Sequence, residues 1–156
     1  MQPRTLKFKL SDESVVKVLT NGRVGFLATT GEDGPYVIPV NYVLLDGKIY
    51  LHGRKAGGQK LDNIRRDPRV CFSVAEVGGY RRGDAACKTS TIYNSVVGRG
   101  TARILPDGDP LAEAALLKFA EIFNPKLDRP SINPEKLAVT AVIELTVPEF
   151  TGKYNV

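Results

Sequence analysis

Two hairpin signals in quick succession constrain this chain more than any other feature. Asp46-Gly47 stands between Leu44-Leu45 and Ile49-Tyr50-Leu51. A two-residue Asp-Gly turn of this kind closes an antiparallel pair, because both turn positions favour residues that tolerate positive φ. Upstream, Gly31-Glu32-Asp33-Gly34 separates a β-rich run over residues 24–30 from a second over 36–45. Strands joined this tightly leave no room for the crossover helices of a parallel sheet. Pro39, inside the second run, has no donor for a ladder and predicts an edge position, a bulge or a barrel corner.

The rest of the chain continues the pattern. Ser11 ahead of Asp12 and Glu13 reads as an N-cap with acidic residues in the first turn, and the helix stops at Asn21-Gly22. A short helix follows over residues 57–66, where Leu61 and Ile64 share a face, and Asp67-Pro68 closes it. Residues 69–75 read as a strand, and 77–88, with Gly78-Gly79 and Gly83, as a loop or loose hairpin tip. Residues 89–105 are β-rich, with Gly98 and Gly100 marking a bend or bulge. Asp109-Pro110 opens a third helix, which runs to Asn124-Pro125. A proline-rich connector over 125–134 precedes a last strand at 137–147. About six strands against three helices, without βαβ order, predict a mainly β (α+β) fold, a small Greek-key or split barrel with peripheral helices.

Composition narrows the class of function. The 156 residues suit one domain, no apolar run approaches the ~20 residues of a spanning helix, and Met1-Gln2-Pro3-Arg4 carries no signal-peptide core. The chain reads as cytoplasmic, without a membrane partner. Its formal charge of +5 is spread over pairs such as Arg54-Lys55, Arg65-Arg66 and Arg81-Arg82, with no nucleic-acid-binding motif, so no nucleic-acid partner is expected. Cys71 lies in the apolar run Val70-Cys71-Phe72 and reads as a buried thiol; Cys87 lies in a polar stretch. One histidine and no close cysteine pair leave no ligand set for a metal.

The candidate site is Lys48 to Leu61. There a strand runs into a polar turn carrying the only histidine, His52, with Gly53 and the cations Arg54 and Lys55. Gly57-Gly58 and a helix bearing Lys60 follow. Main-chain N–H groups and the helix dipole favour an anion at such a junction, and the cations add to it. Arg54 offers a bidentate fork and Lys55 a point charge, which suits a phosphate-bearing ligand.

Several segments then resemble one family in order: Arg23-Val24-Gly25-Phe26-Leu27-Ala28-Thr29, Gly34-Pro35-Tyr36-Val37-Ile38-Pro39-Val40-Asn41-Tyr42, Ile49-Tyr50-Leu51-His52-Gly53, residues 60–72, and residues 93–103. Together they look like the FMN-binding split barrels related to pyridoxamine 5′-phosphate oxidase, nearest to the nitroimidazole-resistance (Nim-like) branch. The resemblance implies a single six-stranded antiparallel Greek-key split-barrel domain over residues 1–156, binding FMN, with two such chains forming a homodimer around flavins at the subunit interface. It implies that Arg54, Lys55 and Lys60 hold the phosphate. Ala28, Thr29, Pro39, Val40, Asn41, His52 and Gly53 would flank the ring and ribityl chain. Asn41 could supply an amide to the pyrimidine edge, and Pro39 would leave neighbouring backbone free for the ligand. Tyr93 and Ser95 would approach from one of the two subunits.

The activity this implies is an FMN-dependent oxidoreductase that reduces a small nitroaromatic or similar electrophile with NAD(P)H-derived electrons, His52 or Tyr93 donating a proton. Weighed beside it are a haem-, F420- or flavin-binding carrier without turnover and a pyridoxamine phosphate oxidase-like enzyme. Against the latter, the tail from Glu149 to Val156 offers only Lys153 for a second phosphate. The basic, glycine-rich stretch from Val77 to Cys87 departs from the family pattern.

Overall fold

The computed structural model describes residues 7–128 and 130–156. Its element order is α1 (Asp12–Asn21), β1 (Val24–Gly31), β2 (Gly34–Asn41), β3 (Val43–Leu45), β4 (Lys48–Arg54), α2 (Gln59–Arg66), β5 (Arg69–Arg81), a 3₁₀ turn (Ala86–Lys88), β6 (Ser90–Ile104), α3 (Pro110–Phe123), α4 (Pro134–Ala138) and β7 (Thr140–Asn155). The strands form one sheet in the order β2-β1-β5-β6-β7-β4-β3, and every pairing is antiparallel. The mainly antiparallel β class with peripheral helices is therefore as expected, in a sheet of seven strands whose edge strands β2 and β3 are not hydrogen-bonded to each other.

The seventh strand arises where one long strand was expected over 36–45. Tyr42 breaks it into β2 and β3: its side chain is buried, and its hydroxyl donates to the Leu19 carbonyl at 2.7 Å. That bond pins the bend to the end of α1. Pro39 lies on β2, an edge strand, opposite Phe26. Within the expected loop over 77–88 the first five residues are strand, since β5 and β6 stay paired as far as Arg81 and Ser90, and residues 82–89 form the hairpin tip between them. The two glycines are absorbed as a register shift between Val77 and Gly79 rather than ending the ladder. The last strand also differs. Residues 134–138 form α4, capped by Asn133, and β7 then runs to Asn155, paired along β6. Three of the helix boundaries follow their sequence signals. Ser11 accepts from the Ser14 N–H, Asp109 accepts from the Leu111 N–H, and Asp67-Pro68 closes α2. Cys71 is half-buried rather than buried, and Cys87 is exposed.

The core has two layers. Leu27, Phe72, Val74, Val96, Ile143 and Leu145 fill the interior of the rolled sheet. On the other face of β4 and β7, Tyr50 and Val142 pack beneath α3 against Ala115 and Phe119. With both faces covered, Ala141 to Leu145 is buried without interruption, as in a strand between two layers. This explains a buried charge. Glu144 is only 3% exposed, accepting from the Tyr50 hydroxyl at 3.0 Å and from Arg103 at 3.2 Å, with Lys48 at 3.1 Å. Burial by itself would raise its carboxyl pKa, but hydrogen bonds from Lys48, Tyr50 and Arg103 outweigh this and hold it below the ordinary range. Burial and the bond to Glu144 push the Tyr50 phenol up to about 12.

Glu144→Ala leaves the Tyr50 hydroxyl buried without its acceptor, and should lower unfolding free energy by about 2 kcal/mol in urea titrations. Because the folded carboxyl pKa is depressed, the native carboxylate's contribution is present above the unfolded glutamate pKa. It is lost as pH falls through the folded value, so the difference between wild type and variant should shrink in acid.

Candidate functional site

The site is built where β4 ends and α2 begins. Side chains alternate along a strand, so Tyr50, His52 and Arg54 point to the side of α3 and α4, and Leu51 and Gly53 to the barrel side. The chain then turns through Gly57 and Gly58 at φ 116° and 132°, values that L side chains rarely adopt. Gly58 caps α2 without a side chain, and its carbonyl takes the N–H groups of Leu61 and Asp62. The N–H groups of Gln59 and Lys60 have no partner among the described residues, as expected in a first helical turn.

Lys60 runs back over Gly53. Its ammonium donates to the His52 carbonyl at 3.4 Å, and a Cβ at position 53 would lie 3.2 Å from it. Burial holds the Lys60 pKa below the usual lysine range. Among the described residues no carboxylate comes within ion-pair distance of it. A partly desolvated cation without a counter-ion, beside unpartnered N–H groups, is suited to an exogenous anion.

One turn along α2, Asn63 donates to the Thr29 hydroxyl at 2.9 Å, and both side chains are buried. Arg66 donates to the Thr30 carbonyl at 3.0 Å. Lys60, Asn63 and Arg66 recur every three residues, so one face of α2 straps the end of β4 to β1. His52 lies edge-on to Phe119, ring centroids 4.4 Å apart. Desolvation against this neighbour, and secondarily the Lys60 charge, hold its pKa below 6.5.

The structure divides the expected residues. His52, Gly53 and Lys60 meet at the strand end. Arg54 makes no ion pair among the described residues and lines a cleft of about 590 Å³ with His52, Ala56, Lys136 and Thr140. Lys55 turns aside: its ammonium is paired with Asp107 and lies 3.5 Å from the Ala138 carbonyl. Its charge is thus committed to the loop before α3. Ala28 and Thr29 line a separate groove of about 620 Å³, with Cys71 opposite Ala28 and Arg99 opposite Cys71. Pro39, Val40 and Asn41 lie on edge strand β2, opposite Phe26, Gly25 and Val24. Tyr93 and Ser95 lie further across the sheet on β6, beside Lys153 on β7, and are not among the residues lining the His52 cleft.

Sequence reasoning passed over Asn63, Asp107, Phe119 and Lys136. Only Asn63 carried a local signal, three residues after Lys60 on the same helical face. The outer face of the sheet is also notable. Phe26 and Val37 are 48% and 57% exposed, and Val24 and Val97 are exposed beside them. Phe26 is opposite Pro39 and Ser73, and Ser73 opposite Val97, so the row crosses four strands.

Comparison with known proteins fits this architecture. The family model described as pyridoxamine 5′-phosphate oxidase matches residues 11–154, and the chain belongs to that family. An uncharacterized protein of Rhizobium meliloti (strain 1021) is 29% identical over 97 residues, 62% of this chain; the match spans only 56% of that relative's length. Among solved structures, flavocytochrome Anf3 from Azotobacter vinelandii aligns over 99% of this chain and 72% of its own, with TM-score 0.82 and 19% identity. A candidate 5-nitroimidazole antibiotic resistance protein from Bacteroides thetaiotaomicron VPI-5482 aligns over 93% and 85%, with TM-score 0.77 and 22% identity. The FAD and haem binding protein of Mycobacterium smegmatis aligns over 93% and 71%, with TM-score 0.78 and 18% identity. At these identities the solved structures share the fold. Among the described residues, no helix is long and apolar enough to cross a membrane, and no group of three His, Cys, Asp or Glu side chains could hold a metal ion.

Two outcomes are expected. Asn63→Ala removes a buried hydrogen bond and leaves the Thr29 hydroxyl without its donor, lowering unfolding free energy by about 2 kcal/mol in urea. The depressed His52 pKa means that the unfolded chain binds more protons just below pH 6.5. Stability should therefore climb with pH through that range and level off above it, and His52→Asn should flatten the climb. Urea midpoints between about pH 5 and pH 7.5 measure both curves.

Proposed function

We propose that this protein is a flavin-dependent oxidoreductase which holds FMN through its phosphate and reduces a small planar electrophile, a nitroaromatic compound being the representative class. The observation that carries the reading is Lys60, half-buried over Gly53 at the open N-terminus of α2 with no counter-ion among the described residues. That donor set suits a phosphate dianion, with the Gln59 and Lys60 N–H groups adding main-chain donors. Membership of the pyridoxamine 5′-phosphate oxidase family supports it, as do flavin- and haem-binding proteins with the same fold. When bound, the flavin would supply the electron and hydride chemistry with electrons from NAD(P)H.

The protein's own residues would bind and orient. Gly53 keeps the floor beneath Lys60 flat enough for the approach, and Thr29, fixed by Asn63, holds the neighbouring wall of β1. With its pKa lowered, His52 is neutral at pH 7 and would present a ring N–H rather than a charge. Tyr93 and Ser95 would reach the site from a second copy, seated on the exposed row of Val24, Phe26, Val37 and Val97. An apolar row of this kind is typical of homodimer interfaces.

The absorbance spectrum of the purified protein tests the cofactor. Flavin bands that heat releases as FMN are expected, with Lys60→Gln weakening FMN uptake by about tenfold. A colourless protein that takes up no added FMN overturns the reading. With FMN loaded, NAD(P)H-dependent loss of a nitroimidazole's absorbance is expected; its absence would remove the proposed substrate class.

A further inference from the structure

Seating a flavin phosphate at Lys60 leaves the cleft lined by Arg54 unassigned. Strand alternation places Arg54 opposite Gly53, so its guanidinium and Lys60 serve different faces of the same strand end. On the Arg54 face, the second cation is Lys136 of α4, and neither makes an ion pair among the described residues. His52 and the Thr140 position complete the polar lining of this volume of about 590 Å³. It is far larger than one phosphate needs, and it begins at Gly53, the residue Lys60 overlies.

Next to it lies a second hollow of about 390 Å³, and Thr140 lines both. Its walls are largely apolar, including Leu105, Pro106, Ala112, Leu137 and Val142. The charged residues that also line it, Asp107 and Lys55, are paired with each other. A doubly cationic cleft opening beside an apolar hollow matches a ligand with phosphates at one end and a flat heterocycle at the other. We infer that these two hollows form a dinucleotide subsite, in which Arg54 and Lys136 hold the phosphates and the apolar hollow receives the adenine of an adenosine diphosphate group.

Two ligands carry that group: FAD as the bound cofactor, or a nicotinamide dinucleotide docking as electron donor. The inference rests on the flavin reading above, but its test can fail separately. Calorimetric titration of the protein as purified with ADP, and flavin-fluorescence titration with FMN and with FAD, are compared in wild type and Lys136→Ala. Under either source, ADP binds the wild-type protein, and Lys136→Ala weakens it by about tenfold while Lys136→Arg restores it. If the source is FAD, wild type binds FAD at least tenfold more tightly than FMN, and Lys136→Ala loses that advantage with FMN affinity unchanged. If the source is the nicotinamide dinucleotide, FAD has no advantage, and Lys136→Ala instead weakens NADPH binding to the FMN-loaded protein. FMN binding with no ADP binding, or ADP binding indifferent to Lys136, overturns the subsite and leaves the flavin reading intact. Failure of every flavin to bind, with Lys136-dependent ADP binding retained, overturns the flavin reading instead.

Discussion

The buried hydrogen bond from Asn63 to Thr29 is the contact on which the site's arrangement depends. An amide and a hydroxyl removed from water bond to each other or lose their hydration without replacement. The placement of α2 against β1 that brings them to 2.9 Å satisfies both. With Asn63 anchored, helical periodicity brings Lys60 to the end of β4 and Arg66 to the Thr30 carbonyl. The two glycines before the helix let the chain reverse quickly enough for this seat. The anion-favouring N-terminus of α2 is thus aimed by a bond one turn further along.

A second constraint is the thickness of the fold at β4 and β7. These strands lie between the barrel interior and α3, so both faces of each carry packed side chains. One consequence is Glu144, a carboxylate kept charged by three donors from neighbouring strands. Another is that β4 delivers chemistry to both sides at its end, Gly53 beneath Lys60 on one and His52 with Arg54 on the other. A strand with a single wet face could not serve two anion-seeking surfaces from adjacent positions.

Much of the framework was legible from local chemistry. The Asp46-Gly47 turn, the Ser11 and Asp109 caps, and Asp67-Pro68 all stand where expected, since turn and cap energies depend on residues a few positions apart. Gly78-Gly79 misled because glycine weakens a strand without forbidding it, and the long ladder between β5 and β6 outweighs that cost. The bend at Tyr42 was illegible because its anchor, the Leu19 carbonyl, belongs to another element.

The same distinction governs the site. A histidine, two cations and two glycines at a strand-to-helix junction identify an anion-seeking turn from the sequence alone, because strand alternation, glycine conformation and the helix dipole act within a few residues. Which cation faces which space was decided by packing. Lys55 finds Asp107 52 residues away, Thr29 finds Asn63 34 away, and Tyr50 finds Glu144 94 away. Each pairing depends on where whole strands and helices come to rest, and burial, which gives these polar contacts their weight, exists only once the layers have closed.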